Sequence, residues 1–254
     1  MSGYGPRDNR VGWLPPGALP GPVELVWGSP PPGYHAPAVS FDGSTWGSIA
    51  ALASADSPLL TVSMWALIPT AQSLKIGDFV PPPTVSGGSG LYFDTSGILA
   101  SIANDNLGVY TYTGAFTFDA AWHHILASAD ASGVVIAGQI LLDGVSQTVA
   151  PGTGPITMLF HSQEFAFSDD PAIVPPLLTG SLADCMFYPG QYLTDVTIFR
   201  DPITGKPKNP TGFPQGAIML SGNAATFFSN TLGTEGPLTL QAGTITNAAT
   251  SPSD

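Results

Sequence analysis

The chain has 254 residues and sets 6 Lys and Arg against 18 Asp and Glu, a formal net charge of −12. That balance excludes nucleic-acid binding, which needs clustered cations, and disfavours an anionic membrane surface. Charged residues make up 9% of the chain, while 30 Gly and 26 Pro make turns frequent and exclude long helices.

Residues 1–37 read as an irregular arm. Pro15, Pro16, Pro20, Pro22 and Pro30-Pro31-Pro32 prevent regular helix, and Val23 to Trp27 fits one short strand. Trp13 and Trp27 gain most by burial, which points to an arm that docks on a partner or, alternatively, to an extension wrapped on its own domain. Met1 to Arg7 lacks the apolar core of a secretory signal. No stretch reaches the ~20 apolar residues of a membrane span. The expectation is synthesis in the cytoplasm and no membrane insertion.

From Ala38 the pattern is β. Ala38 to Phe41 runs into the turn Asp42-Gly43. In Leu60 to Ile68, Leu60, Val62, Met64, Ala66 and Ile68 share one face, and Thr61, Ser63 and Trp65 the other. Leu74 to Val80 is a shorter strand, followed by a Pro- and Gly-rich excursion through Pro81-Pro82-Pro83 and Gly87-Gly88-Ser89-Gly90. Leu91 to Asp94, Ile98 to Ala103 and Gly108 to Tyr112 read as a meander. Strands follow at 122–129 and 134–142, the latter closing on Asp143-Gly144, a strong hairpin signal. Further strands read at 156–160, 163–167 and 178–188. The last contains the single cysteine, Cys185, in the role of a small buried hydrophobe. The one helical candidate is Leu193 to Val196. After Asp201 turn chemistry dominates, and Ala217 to Leu220 and Leu238 to Ile245 are the last strands. Short strands at this spacing predict an all-β sandwich or barrel.

Several strings in this order carry a resemblance. They are Phe41-Asp42-Gly43, Val62-Ser63-Met64-Trp65, Trp122-His123-His124-Ile125, Leu141-Leu142-Asp143-Gly144, Thr179-Gly180-Ser181-Leu182-Ala183-Asp184 and Tyr192-Leu193-Thr194-Asp195. Together they resemble the laminin-G-like branch of the concanavalin A-like lectin and glucanase sandwich, over roughly residues 38 to 200. In the tail, Phe199-Arg200-Asp201, Gly205-Lys206-Pro207, Met219-Leu220-Ser221-Gly222 and Thr246 to Pro252 are similar to a C-terminal segment of such domains in bacteriophage and prophage proteins.

The resemblance implies a concanavalin A-like jelly-roll β-sandwich at 38–200, with the arm at 1–37 and a C-terminal extension at 201–254 packed on the sandwich. It further implies a non-enzymatic phage virion structural protein: a capsid decoration, a head fibre or a tail-associated protein. Its partners would be other virion proteins, met through the arm, and other copies of itself in a homo-oligomer. The alternative is an adhesin that binds host surface polysaccharide, and a third reading is a polysaccharide-degrading enzyme.

Retaining glycosidases need two carboxyls about 5–5.5 Å apart. The three glutamates, Glu24, Glu164 and Glu235, form no such pattern, and Glu164 and Asp169 fall on opposite faces of a regular strand. No Gly-x-Ser-x-Gly elbow marks a nucleophile. His123 and His124 are strand neighbours that face opposite sides, so they cannot share one metal. Calcium is the remaining cofactor candidate, through Asp169 and Asp170, with Asp42, Asp143 and Asp184 beside turns or strand ends. The competing reading is that these aspartates simply serve turns and solvated loops. For glycan binding, Trp46, Trp65, Tyr92, Tyr110 and Tyr112 are candidates for stacking. Tyr110-Thr111-Tyr112, with both rings on one face, is the best of these, against ordinary core or sheet packing.

Overall fold

Two antiparallel sheets carry the chain. The first holds β1 (Val39–Asp42), β3 (Leu59–Leu67), β8 (His123–Asp130), β9 (Ala137–Leu142), β10 (Val145–Ser146), β12 (Thr179–Pro189), β13 (Ile218–Leu220) and β15 (Thr246–Asn247). The second holds β2 (Trp46–Ile49), β4 (Leu74–Val80), β5 (Ser89–Asp94), β6 (Gly97–Asn104), β7 (Gly108–Gly114), β11 (Glu164–Phe167) and β14 (Thr239–Ala242). Their orders are β10-β9-β8-β3-β12-β1-β15, with β13 also on β12, and β14-β2-β11-β4-β5-β6-β7. This computed structural model describes residues 33–72, 74–80, 89–94, 97–104, 108–114, 116–148, 152, 154–161, 164–167 and 177–254. The expected strand Val23 to Trp27, and Asp169 and Asp170, lie outside the described residues.

Alternation builds the core. Leu60, Val62, Met64, Ala66 and Ile68 enter the space between the sheets, as do Ile125, Ala127 and Ala129 of β8. Phenylalanines fill the middle: Phe165 lies 4.8 Å from Phe187 and 5.1 Å from Phe79, ring centre to ring centre. Such offset and edge-on pairs add to the gain from burial. In β12 the alternation survives an extra residue. The register with β3 shifts between Ala183 and Met186, and Asp184 takes φ 47° there. This bulge keeps Leu182, Cys185 and Phe187 in the core. Burial raises the Cys185 thiol well above its usual pKa, so the native protein is expected to resist thiol reagents until it unfolds.

Residues Tyr34–Asp254 form one unit, and 201–254 contribute strands to both sheets. The reading of Leu238 to Ile245 as one strand is corrected. It splits at Gly243 (φ +71°) into β14, paired with β2, and β15, paired with β1. There the chain crosses between sheets alongside the β1–β2 corner. A Cβ on Gly243 would stand 2.4 Å from Thr45 Oγ1. That hydroxyl donates to the Thr244 carbonyl and accepts from the Thr244 N–H, each at 3.0 Å. The segment 156–160 holds only an isolated bridge at Met158. The 134–142 strand starts at Ala137, with Val134 and Val135 exposed.

The outer face of the first sheet is also buried. Leu126, Leu141, Met186, Tyr188 and Met219 project from it and are covered by Leu193, Val196, Ile198, Phe199, Phe213 and Leu232. Each such side chain contributes roughly 1.5–3 kcal/mol when fully buried. The expected helix at 193–196 appears as one 3-10 turn, Val196–Ile198, capped by Asp195. The roof then leads into the turn that follows Phe199.

Candidate binding cleft

Five remote segments meet beside the start of β8. The first is the approach to β8. Asp119 accepts from the Ala121 N–H at 2.8 Å and faces His123 Nε2 at 3.2 Å. His123 Nδ1 lies 2.7 Å from Asp143 Oδ2. The other oxygen of Asp143 accepts from the His124 N–H at 2.9 Å. Asp143 and Gly144 have φ 52° and 82°, the type I′ geometry expected for Asp-Gly. The hydrogen bond to Asp143 leads the effects that hold His123 above its ordinary pKa, against the opposing effect of burial. Burial pushes Asp143 up, but His123, the His124 N–H and Arg200 together hold it below its ordinary value. With both ring nitrogens committed to carboxylates, His123 is a fastener and not a free base.

The turn after the roof forms the second wall. Gly205 N–H donates to the Asp201 carbonyl and Asp201 N–H to the Lys206 carbonyl, both at 2.8 Å. Asp201 Oδ1 caps the N–H groups of Ile203 and Thr204. Arg200 lies between this turn and the β9–β10 turn. A Cβ on Gly205 would stand 2.7 Å from Arg200 Nη2, and one on Gly144 would stand 3.3 Å from Nη1. Among the described residues the guanidinium makes no hydrogen bond or ion pair, and its Nε is buried without an acceptor.

Residues 250–254 close the cleft. Trp122 Nε1 donates to Thr250 Oγ1 at 3.2 Å, which fixes the indole. Lys206 Nζ donates to the Ser253 carbonyl. Asp254 accepts from the Ser251 N–H at 2.7 Å and pairs with His35 at 3.0 Å. Trp65, its ring tilted against that of His124 at 5.0 Å between ring centres, lines the cleft as its floor. His124 is fully buried; burial first, then Arg200, lowers its pKa to about 3, so it stays neutral. The cleft encloses about 620 Å³, lined by Trp65, Trp122, Asp143, Arg200, Lys206 and Ser251 among others. This is a size that suits a small ligand.

The other expected site residues lie apart. Tyr110 and Tyr112 sit in β7, at the far edge of the second sheet, opposite Ile102 and Ala100 of β6; their side chains lie outside what is described. Tyr92 is in β5, also away from the cleft, and Trp46 is half-buried in β2. Asp42 caps the turn at Ser44. Asp184 is buried in the β12 bulge, where Tyr34 Oη donates at 3.0 Å and Ser221 Oγ at 2.6 Å. Burial raises its pKa to about 6. Glu235 accepts from the N–H groups of Ala53 and Ser54, while Glu164 belongs to β11. Among the described residues no group of three His, Cys, Asp or Glu side chains suits a metal ion. Sequence reasoning missed Arg200 and Lys206 as site residues and took Trp122 only as part of a strand. The available signal was clustering: Arg200, Lys206 and Lys208 are three of the six basic residues in the chain.

No protein-family model and no curated protein matches this chain. Among solved structures it is similar to a putative carbohydrate binding protein from Bacteroides ovatus. The two are 10% identical, with a TM-score of 0.53 over 85% of this chain and 61% of that one. The fold is a concanavalin A-like jelly-roll sandwich. The sandwich also aligns with domains LG4-5 of the mouse laminin α1 chain, at 15% identity and TM-score 0.48 over 63% of this chain and 42% of that one. A heptameric SAP-like pentraxin from Limulus polyphemus aligns at 10% identity and TM-score 0.45, over 63% of this chain and 78% of that one. The chain spans less than two thirds of the Bacteroides and mouse chains.

Proposed function

We propose that this jelly-roll sandwich is a non-enzymatic carbohydrate-binding domain with its site in the Trp122–Arg200 cleft. The observation that carries the reading is a fixed indole beside an unpaired guanidinium in a cleft of about 620 Å³. An indole packs against the C–H face of a sugar ring. The hydroxyls of Thr204 and Thr250, which also line the cleft, supply hydrogen bonds to sugar hydroxyls. A likeness of fold to a putative carbohydrate binding protein is in keeping with this.

A glycan array probed with the full chain tests it. Binding is expected with Kd on the order of micromolar. Trp122→Ala should weaken it by roughly tenfold or more, as loss of an aromatic anchor does, while Tyr110→Ala and Tyr112→Ala leave it unchanged. Binding abolished at Tyr110 or Tyr112 and indifferent to Trp122 would move the site to β7. Silence across the array would remove the reading.

We place this domain on a bacteriophage particle, bound to other virion proteins through residues 1–37, as the tail motifs around Arg200, Lys206 and Met219 suggest. Mass spectrometry of purified particles of the parent phage should detect the chain. Its absence would overturn the placement and leave the glycan reading intact.

A further inference from the structure

Resting on that reading, we infer that the ligand is an acidic saccharide bearing isolated carboxylates, a uronic or sialic acid unit in an otherwise neutral glycan, and that Arg200 binds the carboxylate. The guanidinium is the charged group lining the cleft that has no hydrogen-bond or ion-pair partner among the described residues. Asp143 is taken by His123 and the His124 N–H. Asp254 is taken by His35 and the Ser251 N–H. Lys206 is tied to the Ser253 carbonyl. Arg200, in contrast, has five N–H donors and no acceptor among the described residues.

Its position is set in advance. The turns at Gly144 and Gly205 close on either side of the guanidinium, and the Gly205 turn is locked by its own hydrogen bonds. A planar fork held in place matches a planar carboxylate through two parallel hydrogen bonds. Little side-chain freedom remains to be lost on binding.

Charge decides how acidic the ligand is. Asp143 and Asp254 line the same cleft as Arg200 and Lys206, and the whole chain carries −12. Charges within a Debye length of ~8–10 Å are not screened out at physiological salt. A polysulfated or polyphosphate chain would therefore meet net repulsion around Arg200, the one cation of the cleft left unpaired among the described residues. One carboxylate at Arg200, with neutral sugar on Trp122, meets attraction at one point and apolar packing at the next.

The test uses the full chain and a panel in which each glucuronate-, galacturonate- and sialate-containing glycan is paired with its carboxyl methyl ester. A highly sulfated oligosaccharide and a glutamate-rich peptide are included. Calorimetric titration should show at least one acid bound roughly tenfold tighter than its ester. Arg200→Gln should abolish that difference without weakening the ester, and Arg200→Lys should restore only part of it. An unchanged melting temperature and an unchanged Trp122 indole resonance show that a variant keeps its cleft.

Acid and ester bound alike, or Arg200→Gln weakening both equally in a folded variant, overturns the acidic ligand while the carbohydrate reading stands. Tighter binding of the sulfated oligosaccharide also overturns it. Binding of the peptide alone, indifferent to Trp122→Ala, overturns both readings, as does no binding at all.

Discussion

Truncation of Phe227 to alanine is expected to remove about 3–5 kcal/mol of stability, the cost of an unfilled cavity added to lost burial. Phe227 comes from the tail, yet it is fully buried between the sheets. It lies 6.1 Å from Phe41 and 5.9 Å from Phe167, ring centre to ring centre. These partners belong to β1 and β11, one from each sheet. The loss would appear as a lower urea midpoint with an unchanged slope. A loss under ~1 kcal/mol, typical of a surface change, would mean that residues 201–254 lie on the sandwich without completing its core. A chain ended at 200 should fail to fold, because β1, β2 and β12 would each lose a neighbour.

The second large effect is a pair of opposed pH dependences. His124 is buried neutral, its pKa lowered from 6.5 to about 3. The folded state resists its charging, so this contribution is complete above pH 6.5 and is lost as pH falls toward 3. Asp184 is shifted the other way, from 3.8 to about 6. Its stabilising contribution is complete below pH 3.8 and is lost as pH rises through 6. Each proton changes stability by about 1.4 kcal/mol per pH unit within its window. Between pH 4 and 6 the two slopes nearly cancel, and stability should vary little there. Asp184→Asn leaves His124 unopposed, so the variant's urea midpoint should fall steadily on acidification from pH 6.5. A variant whose slope matches the parent's would show that Asp184 titrates in the folded state as it does unfolded.

His124 also shows where sequence reasoning stops. Strand alternation separates it from His123 without saying which of the two faces outward; the structure puts His124 on the outer face of β8, with Leu126. Alternation does not report that Phe199 and its neighbours roof that face, so a histidine on the solvent side of a sheet becomes fully buried. Local patterns that depend on one segment were readable: the faces of β3, the Asp143-Gly144 hairpin and the apolar run of β12. The split at Gly243 was not, because Leu238 to Ile245 is apolar enough to pass for one strand, and its break is set by the Thr45 corner nearly two hundred residues earlier. The cleft was illegible for the same reason. Trp65, Trp122, Asp143, Arg200 and Thr250 are remote in sequence, and only the roof and the final residues bring them together. Tyr110 and Tyr112 attracted attention because their pairing is local.

Nuclear magnetic resonance of the labelled full chain tests the Trp122–Arg200 cleft as the ligand site most directly. Titration with the tightest glycan from the array should shift the Trp122 indole N–H and the Arg200 Nε–H saturably and together. It should leave the β7 amides from Gly108 to Gly114 in place. Saturable shifts confined to β7, with Trp122 and Arg200 unmoved, would contradict it.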